Sequence, residues 1–207
     1  MFNKPRLLTP GPTPLPERVR LALAQDMIHH RKPGFKKILL ETETMLQKLF
    51  GTEQPVLPLS CSGTGAMTAA VHGLFLPGET VIVVNGGKFG ERWSKIAAVR
   101  GLKVVEIDVA WGQAVTPAQV EQALREHPEA KGVFMQVCET STAAQHPVEA
   151  IARLTRTREV LLVADGISAV GISPCPMDAW GIDCLLTGSQ KGLSLIHISE
   201  PTRHAQI

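Results

Sequence analysis

The sequence lacks the features that mark membrane proteins, secreted disulfide-rich proteins and nucleic-acid-binding proteins. Its 207 residues carry a formal net charge of +2, which is too small to indicate a nucleic-acid or anionic-membrane partner. No apolar run reaches the roughly 18 residues that span a bilayer, and residues 1–5 contain no apolar core of a secretion signal. The four cysteines form no paired CxxC spacing, so neither a metal site nor a disulfide framework is indicated. We therefore expect a cytoplasmic protein that binds neither nucleic acid nor a membrane.

The composition is typical of a globular protein, with 44% hydrophobic and 19% charged residues. Five prolines fall within the first sixteen residues, and proline fixes φ and removes a hydrogen-bond donor. We therefore expect residues 1–16 to form an extended arm. The predicted domain occupies residues 17–192, and residues 193–207 form a separate tail.

Short apolar runs alternate with helical patterns along the predicted domain. Near-continuous apolar strands separated by helices predict an α/β fold, in which a mainly parallel sheet is covered on both faces in three αβα layers. The predicted strands are residues 56–59, 81–84, 104–107, 133–137, 160–164 and 184–187. The predicted helices are a segment from about Glu17, residues 35–50, 63–75 and 90–100, a segment capped by Thr116 and Gln119, and residues 148–156.

A glycine-rich turn, Ser62-Gly63-Thr64-Gly65, follows the first predicted strand and opens a helix. The free backbone N–H groups and the positive dipole at a helix N-terminus favour a phosphate. Turns of this kind are common at helix starts, so this motif alone is weak.

Asp165 and Lys191 each follow a buried apolar run. A carboxylate at the end of such a strand costs desolvation unless it has a partner, and a protonated pyridine nitrogen is one such partner. A helix cap or a surface acid is an equally good interpretation of Asp165. The run Gly188-Ser189-Gln190 before Lys191 allows a phosphate and a ring to approach closely, which favours a Schiff-base lysine over a surface lysine.

Three further positions follow strands or lie between helices. Phe89 is a candidate for stacking on a planar cofactor, although a core phenylalanine explains it equally well. Ser141 is a candidate to hydrogen bond a ring hydroxyl. The polar cluster His29-His30-Arg31 fits a solvated surface as well as a site or interface.

The tail differs in character from the rest of the chain. Residues 193–203 read LSLIHISEPTR, which matches the translation of the end of a transposase-based sequencing adaptor. The segment combines a helix-breaking proline with no clear period. We therefore expect a non-native tail on the N-terminal part of a longer enzyme, and no sheet strand there.

Six motifs occur in one order between about Pro10 and Gly192: TPGPTPLP, SCSGTGAMTAA, NGGKFGERW, ETSTA, VADGISAVG and GSQKG. Together they resemble the class V aminotransferases of fold type I, which depend on pyridoxal 5'-phosphate. Within that class the chain is most similar to the alanine–glyoxylate and serine–pyruvate aminotransferase group.

The resemblance implies a role for each matching position. Lys191 would be the catalytic Schiff-base lysine, and Asp165 would bind the pyridine nitrogen. The remaining cofactor-binding residues would be Ser62, Gly63, Thr64 and Gln190 at the phosphate, Phe89 and Ile167 on the two ring faces, and Ser141 at the ring hydroxyl. Gly11, Pro12 and Thr13 would lie near the substrate.

The implied activity is transfer of an amino group from alanine or serine to glyoxylate or pyruvate, by a homodimer when full length. The family's substrate-carboxylate arginine lies in a C-terminal domain that this chain lacks, so we expect the fragment itself to be inactive. Three alternatives stay open: a 2-aminoethylphosphonate–pyruvate transaminase, a lyase, and a non-catalytic relative labelled as a soluble hydrogenase subunit. A cysteine-desulfurase-like lyase is disfavoured because Gln190, and not histidine, precedes Lys191.

Overall fold

The computed structural model describes Gly11 and residues 13–193. Helices and strands alternate over most of this range, as the apolar runs predict. The helices are α1 (Glu17–Leu23), α2 (Pro33–Phe50), α3 (Gly63–Leu74), α4 (Lys88–Arg100), α5 (Pro117–Glu126), α6 (Val148–Arg156) and α7 (Met177–Trp180). The strands are β1 (Thr80–Asn85), β2 (Lys103–Asp108), β3 (Gly132–Gln136), β4 (Cys138–Glu139), β5 (Ala144–Gln145), β6 (Leu161–Asp165) and β7 (Cys184–Leu186).

Five of the strands form one sheet in the order β2-β1-β3-β6-β7, and every neighbouring pair is parallel. Its central strands, β1, β3 and β6, are largely buried. This is the expected result for apolar runs joined by helical crossovers. The α/β fold with a mainly parallel sheet is therefore confirmed.

Alternate residues of each strand supply the two halves of the core. On one face, Ile82 and Val84 of β1 pack with side chains of α5 and α6. On the other face, Val81 and Val83 pack with side chains of α3 and α4, including the fully buried Trp93. The sheet is thus the middle layer of three, and α3 and α4 share the face on which Asp165 lies, because Asp165 is two residues beyond Val163.

Local signals in the sequence fix two helix ends. The Thr116 hydroxyl accepts a hydrogen bond from the Gln119 backbone at 3.3 Å, and Gln119 Oε1 accepts one from the Thr116 backbone at 2.8 Å. This is the predicted capping box. Gly51 ends α2 with φ of +62°, a left-handed conformation that glycine adopts without a steric penalty.

The predicted strand at residues 56–59 is wrong, because this segment is irregular. Pro58 has no N–H to donate to a strand ladder. Moreover, none of the strands in the described part of the chain pairs with this segment. The antiparallel pair β4–β5 and the short helix α7 are elements that the sequence patterns do not predict.

Three further expectations concern the ends of the chain and the helices. The predicted tail comprises residues 193–207, and all of it except Leu193 lies outside the described residues. The segment preceding Glu17 is non-helical, as expected for the arm, as far as it is described. None of the described helices combines the length and the apolar character that crossing a membrane requires.

Candidate functional site

Asp165 ends β6 at the carboxyl edge of the sheet, where its side chain is only 4% exposed. Its Oδ1 accepts a hydrogen bond from the Ile167 backbone at 2.9 Å. The pKa of this carboxyl is raised to about 6, mainly by burial and to a smaller extent by the negative charge of Glu139, against the opposing effects of the Ile167 N–H, Arg92 and Lys191. Lys191 therefore lies within electrostatic reach of Asp165.

Lys191 follows β7 and lies against the N-terminal arm. The backbone of Gly11 approaches so closely that a Cβ atom built there would lie 2.6 Å from Lys191 Nζ. The Thr13 backbone donates to the Gln190 carbonyl at 3.3 Å, and the Thr13 hydroxyl donates to the Lys191 carbonyl at 3.1 Å. The structure thus places Gly11 and Thr13 beside the lysine, while Pro12 lies outside the described residues.

The glycine-rich turn forms the N-terminus of α3. Ser62 is the cap, and its hydroxyl accepts a hydrogen bond from the Gly65 backbone at 3.3 Å. The N–H groups of the first helical turn have no carbonyl partner within the helix. A Cβ atom at Gly63 would lie 2.5 Å from Ile167 Cδ1. The turn therefore contacts Ile167, which is two residues after the buried Asp165.

Thr64 and Phe89 are joined by a residue that the sequence patterns did not single out. Arg92, one turn into α4, donates to Thr64 Oγ1 at 3.1 Å. Its guanidinium carbon lies 4.7 Å from the centroid of the Phe89 ring. Arg92 therefore connects the start of α3 with the candidate stacking aromatic.

Phe89 and Ser141 meet at a second residue that sequence reasoning missed, Glu139. This side chain has no exposed surface. Its carboxylate accepts hydrogen bonds from the Phe89 backbone at 3.2 Å and from the Ser141 hydroxyl at 2.6 Å. Both Arg92 and Glu139 belong to motifs that follow parallel strands, and a charged residue in that position is the signal that could have identified them.

One buried amide adds to the polar character of this face. Gln136 of β3 is the register partner of Asp165, and its side chain is almost fully buried. Neither amide heavy atom has a hydrogen-bond partner within the described part of the chain. Gln136 was not predicted as a site residue.

The structure brings the predicted site residues together in two linked groups. One group joins Gly11, Thr13, Gln190 and Lys191 through packing and hydrogen bonds. The other runs through Asp165, Ile167, Gly63, Ser62, Thr64, Phe89 and Ser141, with Arg92 and Glu139 as connectors. His29, His30 and Arg31 are exposed between α1 and α2, where the two imidazole rings stack 4.7 Å apart.

The described residues contain no group of three or more His, Cys, Asp or Glu side chains placed to hold a metal ion. Within this part of the chain, the acid, the lysine and the helix N-terminus lie at or beyond the carboxyl ends of parallel strands, where α/β sheets place small-molecule ligands.

The chain is 36% identical over 195 residues to a protein of Synechococcus sp. (strain PCC 6716) named "Soluble hydrogenase, small subunit", and the alignment covers 93% of this chain and 51% of that protein. It is 33% identical over 194 residues to a serine–glyoxylate aminotransferase of Methylorubrum extorquens, covering 91% and 48%. The crystal structure of an alanine–glyoxylate aminotransferase from Nostoc sp. is similar with a TM-score of 0.88 and 32% identity, covering 94% and 52%.

The chain spans about half the length of the curated relatives it matches. A sequence model of the family described as "Aminotransferase class-V" matches residues 11–195, which is most of the chain. The family that the six motifs resemble is thereby confirmed, and the chain belongs to the class-V aminotransferases.

Proposed function

We propose that the full-length protein containing this chain is a pyridoxal-phosphate-dependent aminotransferase that moves an amino group from alanine or serine to glyoxylate or pyruvate. The single observation that carries the proposal is the environment of Asp165. This acid is buried at the end of β6 and lies within electrostatic reach of Lys191. Ile167, two residues later, contacts Gly63 at the N-terminus of α3.

The residues present fit the cofactor. A buried carboxylate with a raised pKa is costly in the absence of a positive partner, and a protonated pyridine nitrogen supplies one. The Gln136 amide, which has no hydrogen-bond partner among the described residues, lies in register with Asp165, which is expected where a further polar group completes a site. The first turn of α3 provides backbone donors for a phosphate.

When bound, pyridoxal phosphate supplies an electron sink for the substrate's Cα carbanion. Asp165 keeps the positive charge on the ring nitrogen. The Lys191 amine would bind the cofactor covalently; once the substrate's amine has displaced it, the freed amine would accept the proton of the substrate Cα and pass it to the cofactor. Ser62, Gly63, Thr64 and Gln190 hold the phosphate, Phe89 and Ile167 confine the ring, and Gly11, Pro12 and Thr13 lie near the substrate.

The test of the cofactor assignment is spectroscopic. The full-length protein should develop a visible absorption band when pyridoxal phosphate is added, and Lys191→Ala should remove the band and lower turnover by several orders of magnitude. Lys95→Ala, an exposed lysine of α4, is the matched control. A band and transamination that persist without Lys191 would overturn the proposal.

The substrates are tested with a panel of donors and acceptors. Serine and alanine with glyoxylate or pyruvate should give the highest kcat/KM, which the serine–glyoxylate and alanine–glyoxylate relatives support. A preference for 2-aminoethylphosphonate would favour that transaminase, and elimination without amino transfer would favour a lyase. No turnover with any donor would favour the non-catalytic alternative, which the hydrogenase-subunit name of one relative suggests.

We further propose that the full-length protein is a cytoplasmic homodimer. The family resemblance supports this assembly, and so do large apolar side chains that are exposed on the first two helices, among them Leu21, Ile38 and Met45. Light scattering of the full-length protein should give twice the monomer mass. A monomer at micromolar concentration would contradict it.

A further inference from the structure

Glu139 is a fully buried acid that the proposed mechanism does not use. It lies in β4, directly after the carboxyl end of β3. Its Oε2 accepts hydrogen bonds from the backbones of Phe89 at 3.2 Å and Gly90 at 3.0 Å. Its Oε1 accepts bonds from the Ser141 backbone at 3.0 Å and from the Ser141 hydroxyl at 2.6 Å.

These bonds satisfy the carboxylate without a cation, since the described residues contain no ion pair of Glu139 within 4.0 Å. Phe89 and Gly90 belong to the first turn of α4, where N–H groups lack helical partners and the dipole favours negative charge. Glu139 therefore joins the start of α4 to the segment that follows β3.

The fit around Glu139 allows little displacement. A Cβ atom at Gly87 would lie 2.7 Å from Glu139 Cδ and would also overlap Ser141 Oγ. The positions of the Phe89 backbone and the Ser141 hydroxyl are consequently set by one carboxylate.

The hydrogen bonds of Ser141 also fix the direction in which it can bond a ligand. A serine hydroxyl has one proton to donate and two lone pairs that accept. Its proton goes to Glu139, because a carboxylate only accepts, and one lone pair accepts the Lys88 N–H at 3.1 Å. What remains toward a ligand is an acceptor.

We propose that Glu139 is a positioning residue that holds Phe89 in place and makes Ser141 a hydrogen-bond acceptor toward the cofactor's ring hydroxyl. This inference rests on the proposed function, because it places Ser141 at that hydroxyl. An acceptor at this position stabilises the protonated ring oxygen, whereas a donor would stabilise the ionised one.

The sign of one spectral change tests the direction of the bond in the full-length protein loaded with pyridoxal phosphate. At a fixed pH, Ser141→Ala should decrease the short-wavelength band of the protonated ring oxygen and increase the long-wavelength band of the ionised oxygen. Glu139→Gln should change the ratio in the same direction. When Glu139→Gln is combined with Ser141→Ala, the band ratio should be the same as in Ser141→Ala alone. A band ratio that moves the opposite way in Ser141→Ala overturns the inference, and so does an effect of Glu139→Gln that persists without Ser141.

Amide hydrogen exchange of the cofactor-free protein tests the positioning itself. Glu139→Gln should speed exchange at Phe89, Gly90 and Ser141 at least tenfold, while Gly65, which Ser62 caps, should be unaffected. Glu126→Gln, at an exposed acid of α5, is the control and should change neither exchange nor spectrum. Unchanged exchange in Glu139→Gln would overturn the inference. By contrast, a wild-type protein that shows no Lys191-dependent band would refute the proposed function and leave the exchange result to decide the role of Glu139.

Discussion

The Arg92 guanidinium lies on the ring of Phe89, with 4.7 Å between the guanidinium carbon and the ring centroid. The same group donates to Thr64 Oγ1 at 3.1 Å. One side chain of α4 therefore links the start of α3 to the aromatic residue proposed to stack on the cofactor. A cation over one ring face restrains the ring and is worth about 0.5–2 kcal/mol.

Replacement of Arg92 should weaken cofactor binding more than it weakens the fold. Arg92→Gln removes both contacts, and a loss of about 1.4 kcal/mol corresponds to a tenfold higher Kd. Arg92→Lys keeps the charge but loses the planar group, so we expect an intermediate Kd. Fluorescence titration of the full-length protein with pyridoxal phosphate measures these values. Arg125→Gln, an exposed arginine of α5, is the control, and an equal Kd for Arg92→Gln and wild type would contradict the expectation.

Two glycines of α3 provide a matched pair of substitutions. A Cβ atom at Gly63 would lie 2.5 Å from Ile167 Cδ1, whereas a Cβ atom at Gly73 would meet nothing within 4 Å. Gly73→Ala should stabilise the fold by about 0.5–1 kcal/mol, because alanine loses less backbone entropy in a helix. Gly63→Ala should displace Ile167 and raise the Kd of the cofactor about tenfold. Urea unfolding and cofactor titration separate the two effects. Equal cofactor affinity in both variants would show that Ile167 does not touch the ring.

Gly11 offers a test of how the arm positions the lysine. A Cβ atom there would lie 2.5–2.8 Å from three atoms of the Lys191 side chain, including Nζ at 2.6 Å. Gly11→Ala should therefore displace the amine and slow the growth of the Lys191-dependent band about tenfold, equivalent to about 1.4 kcal/mol of activation free energy. Stopped-flow absorbance after addition of pyridoxal phosphate measures the rate. Gly34→Ala, whose Cβ atom meets nothing within 4 Å, should leave the rate unchanged, and a similar rate in Gly11→Ala would contradict the placement of the arm.

The sequence predicts the sheet and most of the helices because periodicity and caps are local properties. The capping box at Thr116 and Gln119 and the buried runs of β1 and β3 illustrate this. The segment at 56–59 failed because an apolar run pairs as a strand only where a neighbour exists, and Pro58 weakens it further. The apolar spacing of α2 predicted a helix correctly, yet only Phe50 of that helix is buried.

The candidate site, like the fold, could be predicted from the sequence only in part. Glycines before a helix, an acid after a strand and a lysine after small residues are visible in the sequence, and that they form one cofactor site stays a prediction. Glu139 and Arg92 were missed because a charged residue shortly after a buried strand is usually solvated. Glu139 can be buried because α4 begins where the Phe89 and Gly90 N–H groups donate to its carboxylate. This contact is a feature of tertiary structure, so local sequence patterns do not reveal it.

Asp165 makes the stability of the cofactor-free protein depend on pH. Burial is the largest cause that raises the pKa of this carboxyl from 3.8 to about 6. Between about pH 4 and pH 6 the unfolded chain has released a proton that the folded protein keeps. The unfolded state then binds fewer protons, so the free energy of unfolding falls as pH rises, by about 1.4 kcal/mol per pH unit and roughly 3 kcal/mol in total.

Asp165→Asn has no proton to release and should lack this decline. We expect the free energy of unfolding of the variant, minus that of wild type, to rise by roughly 3 kcal/mol from about pH 4 to about pH 7. Urea unfolding at several pH values measures the difference, in which the other titrating groups largely cancel. Asp178→Asn is the control, because that exposed acid has a lowered pKa through bonds with Thr52 and the Glu53 backbone and its stabilisation is lost as pH falls. If this difference in the free energy of unfolding did not change with pH for Asp165→Asn, the pKa of the buried carboxyl would not be raised in the cofactor-free protein. Saturation with pyridoxal phosphate should remove the decline in the wild type, because the positive ring nitrogen then stabilises the ionised acid.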